Sequence, residues 1–291
     1  MKFALSLFLV SLSFSLLAQT DAQQKLDAAT TAYNARHLDT AMVLVQQVIT
    51  AAPDMAKAFK LRGDIHQRQK DYDAAMEDYK TSEKLDPKDP RLFISRCALL
   101  ITQGNYKGGL QQADKALDLD PRDADAWYDR SCALYFTGDG DGALKSAGKA
   151  MELRPDYAEA IYLTGVIEGE QNDEKAGLEH IAQALKLQPK IQGGLMSEGV
   201  LLFESHQYKE AIAKFTEVIN TDTTELAAAH YYRGDSYYNL EDKPNACADW
   251  EVSARMGDRD AIYIKKAYCD TDATKIPKKP KRQPRKTTIQ F

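Results

Sequence analysis

Apolar and polar positions follow a pattern along this chain that repeats every 34 residues. In the clearest repeat, Ala56–Asp89, a first helical stretch with Phe59 on its apolar side is followed by a polar turn at Asp71 and a second stretch with Tyr79. A proline closes five successive repeats: Pro53, Pro87, Pro121, Pro155 and Pro189. Because proline cannot continue a helix, each period is predicted to contain two helices and two turns.

Two positions of every repeat are occupied only by small residues. The eighth residues are Ala29, Gly63, Cys97, Ser131, Gly165, Gly199 and Gly234. The twentieth residues are Ala41, Ala75, Gly109, Ala143, Gly177, Ala211 and Ala246. Small residues at fixed places on both helices let the two backbones approach closely, so the pattern predicts tightly packed helix pairs.

This order of small, aromatic and proline positions on a 34-residue period resembles the tetratricopeptide repeat (TPR). About seven repeats cover Ala22–Asp258. They depart from the pattern at Glu174 and Gly177 in repeat five and at Thr223 in repeat six. The resemblance implies an all-α fold, an α-solenoid of helix-turn-helix TPR units. Arg259–Tyr268 is predicted to be an amphipathic C-terminal capping helix that covers the last repeat.

Repeats four and five are rich in glycine, and three glycines fall inside predicted helices: Gly148, Gly169 and Gly177. A glycine in a helix interior costs roughly 1 kcal/mol relative to alanine. We therefore expect repeats four and five to be the least stable part of the array.

Met1–Ala18 has the features of a secretory signal peptide, with Lys2 followed by an apolar run from Phe3 to Leu17. The run is short for a bilayer span, and we expect no transmembrane span in the mature chain. Leu16 near the cleavage point leaves an uncleaved anchor as the alternative. The sequence thus predicts an exported bacterial protein that is periplasmic or associated with the cell envelope.

Residues 19–270 are predicted to form the TPR solenoid with its capping helix, and residues 271–291 a basic, proline-rich, disordered tail. The tail has seven Lys or Arg and one Asp, a charge of +6. The whole chain carries −5, so the repeat body without Lys2 carries −12. The tail could attach to an anionic envelope surface, bind nucleic acid, cover the acidic body or remain a solvated extension. Nucleic acid is disfavoured, because exported proteins rarely meet it and the tail lacks interleaved aromatic residues.

The sequence contains none of the motifs that carry catalysis, such as a phosphate-binding glycine loop, a nucleophile elbow or paired metal-binding cysteines. We therefore expect a protein that is not an enzyme and uses no cofactor. The histidines occupy different repeat positions and are interpreted as solvated surface residues, with no metal site: His37, His66, His180, His206 and His230.

The four cysteines fall into two groups. Cys97 and Cys132 lie on neighbouring first helices and are interpreted as core thiols. Cys247 begins the last second helix, and Cys269 ends the capping helix that runs antiparallel to it. In an oxidising compartment the sequence therefore predicts a disulfide between Cys247 and Cys269.

Two arginines at the seventh repeat position precede an aspartate by 16 residues, giving the pairs Arg62–Asp78 and Arg233–Asp249. That separation places the two side chains opposite each other across an antiparallel hairpin. We interpret them as structural ion pairs, not as a basic binding stripe.

In the TPR family the concave face is lined by the second, fifth, ninth and twelfth residues of each first helix. Here aromatic and acidic residues accumulate on these positions in the C-terminal half. The predicted partner-binding residues are Asp125, Tyr128, Tyr135, Glu159, Tyr162, Met196, Phe203, Tyr231, Asp235 and Tyr238. Tyrosines of this kind suit the recognition of a peptide or helix. The alternative is that several of them pack between neighbouring first helices.

Some TPR proteins hold a carboxylate on this face with Lys and Asn residues. In this chain Asp64 stands in the place of the first asparagine, and Asp125 and Asp129 replace the basic pair. A carboxylate would be repelled. The resemblance thus implies a non-enzymatic scaffold that binds a basic or neutral segment of a protein partner of unknown identity. The alternative is a protein that binds an envelope surface or anionic polymer through its basic tail.

Overall fold

The structure is a computed structural model that describes residues 20–221 and 224–277. Within these ranges it consists of helices and turns, with no strand. Helix α1 covers residues 20–34. The helices that follow are α2 (Leu38–Ala51), α3 (Ala56–Arg68), α4 (Tyr72–Leu85), α5 (Pro90–Thr102), α6 (Tyr106–Leu119), α7 (Ala124–Thr137), α8 (Gly140–Leu153), α9 (Ala158–Glu170), α10 (Glu174–Leu187), α11 (Gly194–Glu204), α12 (Tyr208–Thr221), α13 (Leu226–Asn239), α14 (Lys243–Arg255) and α15 (Arg259–Ile264). The predicted all-α fold is confirmed.

The chain divides into two compact units, Met1–Ala133 and Leu134–Phe291, called the N-terminal and C-terminal units below. In the N-terminal unit α3 packs on α4 and α5 on α6, and α4 contacts α5. In the C-terminal unit α9 packs on α10, α11 on α12 and α13 on α14, while α10 contacts α11 and α12 contacts α13. Within each unit, consecutive helix pairs pack as in an α-solenoid, as predicted.

The turn between the two helices of a repeat has the same capped form in five repeats. A side chain at the N-cap of the second helix accepts a hydrogen bond from the backbone N–H three residues later. These capping residues are Asp71, Asn105, Asp139, Asp173 and Asp242. The residue before the second helix's N-cap has a positive φ in every repeat: Arg36, Lys70, Gly104, Gly138, Asn172, His206 and Glu241. A left-handed residue therefore ends each first helix, and in five repeats a side-chain cap starts the second one.

The small residues lie where the two helices of a repeat cross. A Cβ atom added to Gly63 would stand 2.5 Å from Cε1 of Tyr79, and one added to Gly199 would stand 2.6 Å from Cε1 of Phe215. No larger side chain fits these places unless the aromatic ring moves. The predicted close approach of the two backbones is confirmed.

The glycines of repeat five lie at close contacts, as expected for Gly165 and Gly177 from their repeat positions and unexpectedly for Gly169. A Cβ atom on Gly165 would lie 2.7 Å from the carbonyl oxygen of Gly177, and one on Gly177 would lie 2.7 Å from the carbonyl oxygen of Gly165. A Cβ atom on Gly169 would lie 2.4 Å from Cδ2 of Leu201. These glycines therefore permit α9 to pack against its neighbours. Gly148 alone among the three interior helix glycines has open space around it.

Both predicted arginine–aspartate pairs are confirmed. Arg62 donates from Nε and Nη2 to the two carboxylate oxygens of Asp78, at 2.8 and 2.6 Å. Arg233 donates in the same way to Asp249, at 2.8 and 2.7 Å. The expectation that all histidines lie in solvent is wrong for His230, whose Nδ1 is 2.7 Å from Asp249 Oδ1 and whose side chain is 12% exposed.

Cys97 and Cys132 are free and buried, as predicted, and burial raises the pKa of both thiols. The predicted capping segment consists of the short helix α15 and a π-helical turn, Lys265–Cys269. It brings Cys269 to α14, where its Cα lies 5.6 Å from that of Cys247 and the two form a disulfide. The predicted pair is therefore supported.

The chain continues to pack after the disulfide. Lys243 Nζ donates to the carbonyl oxygens of Thr271 and Ala273, at 3.0 and 2.9 Å. Ile276 is 8% exposed and joins the apolar cluster of the last repeat. The packed region thus extends beyond the predicted boundary at residue 270. The predicted signal peptide and residues 278–291 lie outside the described ranges.

We expect the disulfide to form in the protein isolated without reductant. After denaturation and thiol labelling, intact mass should show two labels, on Cys97 and Cys132, and peptide mapping should recover Cys247 joined to Cys269. Four labels would show that the pair stays reduced. Treatment with reductant before labelling is the control, and it should raise the number of labels to four.

Candidate functional site

Two of the predicted partner-binding tyrosines of the C-terminal unit, Tyr135 and Tyr162, are held between successive first helices. Tyr135 Oη donates to Glu170 Oε1 on α9 at 2.6 Å. Tyr162 Oη lies 2.8 Å from Ser197 Oγ on α11. Each hydrogen bond spans 35 residues and so joins one repeat to the next. These tyrosines connect the array internally.

Burial corrects the expectation that all the predicted aromatic residues are open to a partner. Five of the predicted residues with large apolar side chains are at most 7% exposed: Tyr128, Tyr135, Tyr162, Met196 and Tyr231. Asp235 is 4% exposed. Packing between first helices, the alternative, accounts for Tyr135 and Tyr162, whose hydroxyls bond to the next first helix. Tyr231 is instead buried against Trp250 of α14 and Ile264 of α15.

Two predicted aromatic residues of the C-terminal unit remain half-buried. The Phe203 ring lies 5.7 Å from that of Tyr208 and 5.9 Å from that of Tyr232, measured between centroids. Tyr238 packs on Tyr268 of the π-helical turn, and its hydroxyl accepts a long hydrogen bond of 3.4 Å from the backbone N–H of Ile276. The C-terminal segment therefore covers part of Tyr238. Phe203 keeps partial exposure beside other rings.

Acidic residues dominate the first helices of the C-terminal unit. Helices α9 and α11 contain five glutamates and no lysine or arginine: Glu159, Glu168, Glu170, Glu198 and Glu204. Glu168 is hydrogen-bonded to His180 at 2.6 Å, and Glu198 is paired with Lys214 at 2.9 Å. Glu159, a predicted site residue, is half-buried on α9.

An acidic group at the ends of these helices was not found by sequence reasoning. Desolvation and the like charges of Glu174 and Glu170 raise the pKa of Glu204. The negative charges of Glu174 and Glu170 therefore act on the Glu204 carboxylate. Glu170 and Glu204 both occupy the thirteenth repeat position, next to the twelfth, which lines the concave face in the TPR family. A glutamate that recurs at this position is the feature of the sequence that points to them.

The N-terminal unit also has acidic residues on its first-helix face, the surface formed by the first helices of the repeats. Asp125 accepts a hydrogen bond of 2.8 Å from Arg91 Nη1, and Asp123 accepts one of 3.0 Å from the same atom. Asp64, in the place of a clamp asparagine, accepts from Tyr79 Oη and Lys60 Nζ, both at 2.8 Å. These carboxylates are unsuited to holding another carboxylate.

Two general features of the described ranges bear on function. No helix there combines the length and the apolar character needed to cross a membrane. The same residues contain no group of three His, Cys, Asp or Glu side chains placed to hold a metal ion.

Antiparallel helix pairs that repeat every 34 residues, with small residues where they cross, define the class of α-helical repeat proteins. The sequence model of the tetratricopeptide repeat matches residues 26–90 and 99–158. The chain is therefore a tetratricopeptide-repeat protein. This fold indicates a scaffold for protein–protein interaction.

Solved structures show the same fold. A tetratricopeptide repeat protein of Parabacteroides merdae is 16% identical, with a TM-score of 0.59 over 84% of this chain and 96% of that one. The pilF protein of Pseudomonas aeruginosa is 16% identical, with a TM-score of 0.62 over 69% of this chain and 91% of that one. A thermophilic TPR protein of Thermus thermophilus is 19% identical, with a TM-score of 0.54 over 62% and 99%. No protein of curated function matches the sequence.

Proposed function

We propose that this TPR protein is a non-enzymatic scaffold that binds a basic or neutral protein segment on the first-helix face of its C-terminal unit. The observation that carries the proposal is the acidic composition of α9 and α11, which contain five glutamates and no lysine or arginine. Two of these glutamates, Glu168 and Glu198, are paired with His180 and Lys214. A face of one sign attracts segments of the opposite sign and repels like ones.

The proposal centres on Glu204, at the end of α11, whose carboxylate is influenced by Glu170 at the end of α9 and Glu174 at the start of α10. The raised pKa of Glu204 reflects desolvation first and then repulsion by its two neighbours. A lysine or arginine of a bound segment would relieve that repulsion. Phe203, in the turn of helix just before Glu204, adds a partly exposed ring that can contact the apolar stem of such a side chain.

Reversing the charge at Glu204 should weaken a basic partner. We expect Glu204→Lys to lower affinity by about 1 kcal/mol or more, roughly fivefold, with a loss that shrinks at high salt because exposed charges are screened. Affinity capture from an envelope extract, followed by mass spectrometry, identifies the partner, and titration of the purified partner measures the change.

Glu210→Lys on the exposed surface of α12 is the matched control, because it changes the net charge equally on a second helix. Its affinity should stay within about twofold of wild type. Equal effects of Glu204→Lys and Glu210→Lys would assign the attraction to net charge, and the proposed face would be wrong.

We further propose that the protein works in the periplasm or cell envelope after export, on the strength of its apolar N-terminal run. A second candidate function is attachment to an anionic surface by residues 278–291, which contain six Lys or Arg and no acidic residue. Deletion of residues 278–291 distinguishes the two candidate functions. The deletion begins at Lys278 because Ile276 packs in the last repeat. A scaffold keeps its partner after this deletion, whereas a tail-driven binder loses its surface.

A further inference from the structure

Asp129, on α7 in the N-terminal unit, is an acidic side chain in an unusual environment. It is 5% exposed, and its Oδ2 has no hydrogen-bond partner among the described residues. Burial, and then the neighbouring charge of Asp125, raise the pKa of its carboxyl group. Native proteins rarely leave a buried carboxyl oxygen without a partner, because the loss of its hydrogen bonds to water costs free energy that no new hydrogen bond offsets.

The charges that act on Asp129 come from a small cluster. Asp125 lies one helical turn earlier on α7, and Asp123 precedes the helix. Arg91 Nη1 contacts the carboxylates of Asp125 and Asp123, at 2.8 and 3.0 Å. The Arg91 side chain is 52% exposed and therefore easily displaced. Arg91 therefore bridges the carboxylates of Asp123 and Asp125 and makes no contact with Asp129.

We propose that Asp129, Asp125 and Asp123 form a binding site for a cationic side chain of a protein partner, a lysine ammonium or an arginine guanidinium, and that Arg91 occupies its outer part in the free protein. This inference rests on the part of the proposed function by which the protein binds a protein segment, and it adds a contact site for such a segment in the N-terminal unit. Arg91 already shows that these carboxylates can accept hydrogen bonds from a cationic donor.

Other occupants fit less well. The described residues offer no three ligands arranged for a metal ion, here or elsewhere. An anionic group would face three carboxyl groups and be repelled. A cationic donor, in contrast, can give Asp129 the hydrogen bond that it lacks and favour its ionised form.

The test uses the full mature chain and acetylated hexalysine amide as the probe, titrated by calorimetry at about 0.15 M salt, where distant charges are screened. Asp129→Asn keeps the size of the side chain and removes its charge, and we expect about tenfold weaker binding. Arg91→Gln removes the resident cation, and we expect binding at least threefold tighter. The two variants should therefore move affinity in opposite directions.

Two charge-matched variants at exposed positions of the same unit are the controls: Asp118→Asn for the lost carboxylate and Lys88→Gln for the lost cation. Each should stay within twofold of wild type. The proposal is overturned if the probe does not bind, if Asp129→Asn behaves like Asp118→Asn, or if Arg91→Gln behaves like Lys88→Gln. Should Asp129→Asn lose its helical circular dichroism, the Arg91→Gln comparison decides alone. The probe assay needs no natural partner, so failure to capture one from an extract contradicts only the proposed function.

Discussion

The Asp249→Ala variant should lose about 3–5 kcal/mol of unfolding free energy, because it breaks a buried ion pair and leaves a cation without its partner. The Asp249 side chain is 6% exposed, and both of its oxygens accept hydrogen bonds from Arg233. Its Oδ1 also lies 2.7 Å from His230 Nδ1. The measurement is urea unfolding followed by circular dichroism.

The control for Asp249 is Glu251→Ala, two residues further on α14. Glu251 also pairs with basic residues, Arg255 at 3.7 Å and Lys265 at 3.3 Å, but its side chain is 40% exposed. Its loss should cost no more than about 1 kcal/mol. If the two variants unfold at the same urea concentration, the buried pair does not support the last repeat in the way we infer.

The Tyr231→Ala variant should also lose about 3–5 kcal/mol of unfolding free energy, since it empties a space in the core. Tyr231 is 1% exposed and packs in one apolar cluster with Trp250 and Ile264. The sequence alone placed this residue on a partner-binding surface, where its removal would weaken binding and leave stability intact. The structure reverses that expectation.

Tyr263→Ala is the matched control, because Tyr263 lies on the capping helix α15 and is 40% exposed. Its stability should stay within about 0.5 kcal/mol of wild type. A Tyr231→Ala protein that keeps wild-type stability and loses its captured partner would contradict the packing role and restore the original assignment.

The repeat architecture could be predicted from the sequence because its determinants are local and recur. Prolines and capping residues such as Asp71 act within a few residues of the turns they form, and a fixed period reveals helix pairs without any knowledge of their packing. The Arg233–Asp249 pair was predictable for the same reason, since a hairpin of known length sets which residues face each other.

The candidate site was less predictable because exposure depends on contacts between repeats. Position on a helix indicates which face a residue occupies, but how closely the neighbouring helix approaches decides whether that face is open. Tyr162 is 4% exposed, and its hydroxyl lies 2.8 Å from Ser197 Oγ on the neighbouring helix α11.

By itself, the sequence determined the all-α repeat fold, the helix pairs, the two arginine–aspartate pairs and the cysteine pair, all of which follow from spacing along the chain. Only the tertiary structure decided which aromatic residues are core, that Glu170 and Glu174 act electrostatically on Glu204, and that Asp129 is buried without a partner for one of its oxygens. The physical reason is that burial and electrostatic repulsion depend on distances between residues from different repeats, and these distances are set by how the side chains of adjacent helices fit together.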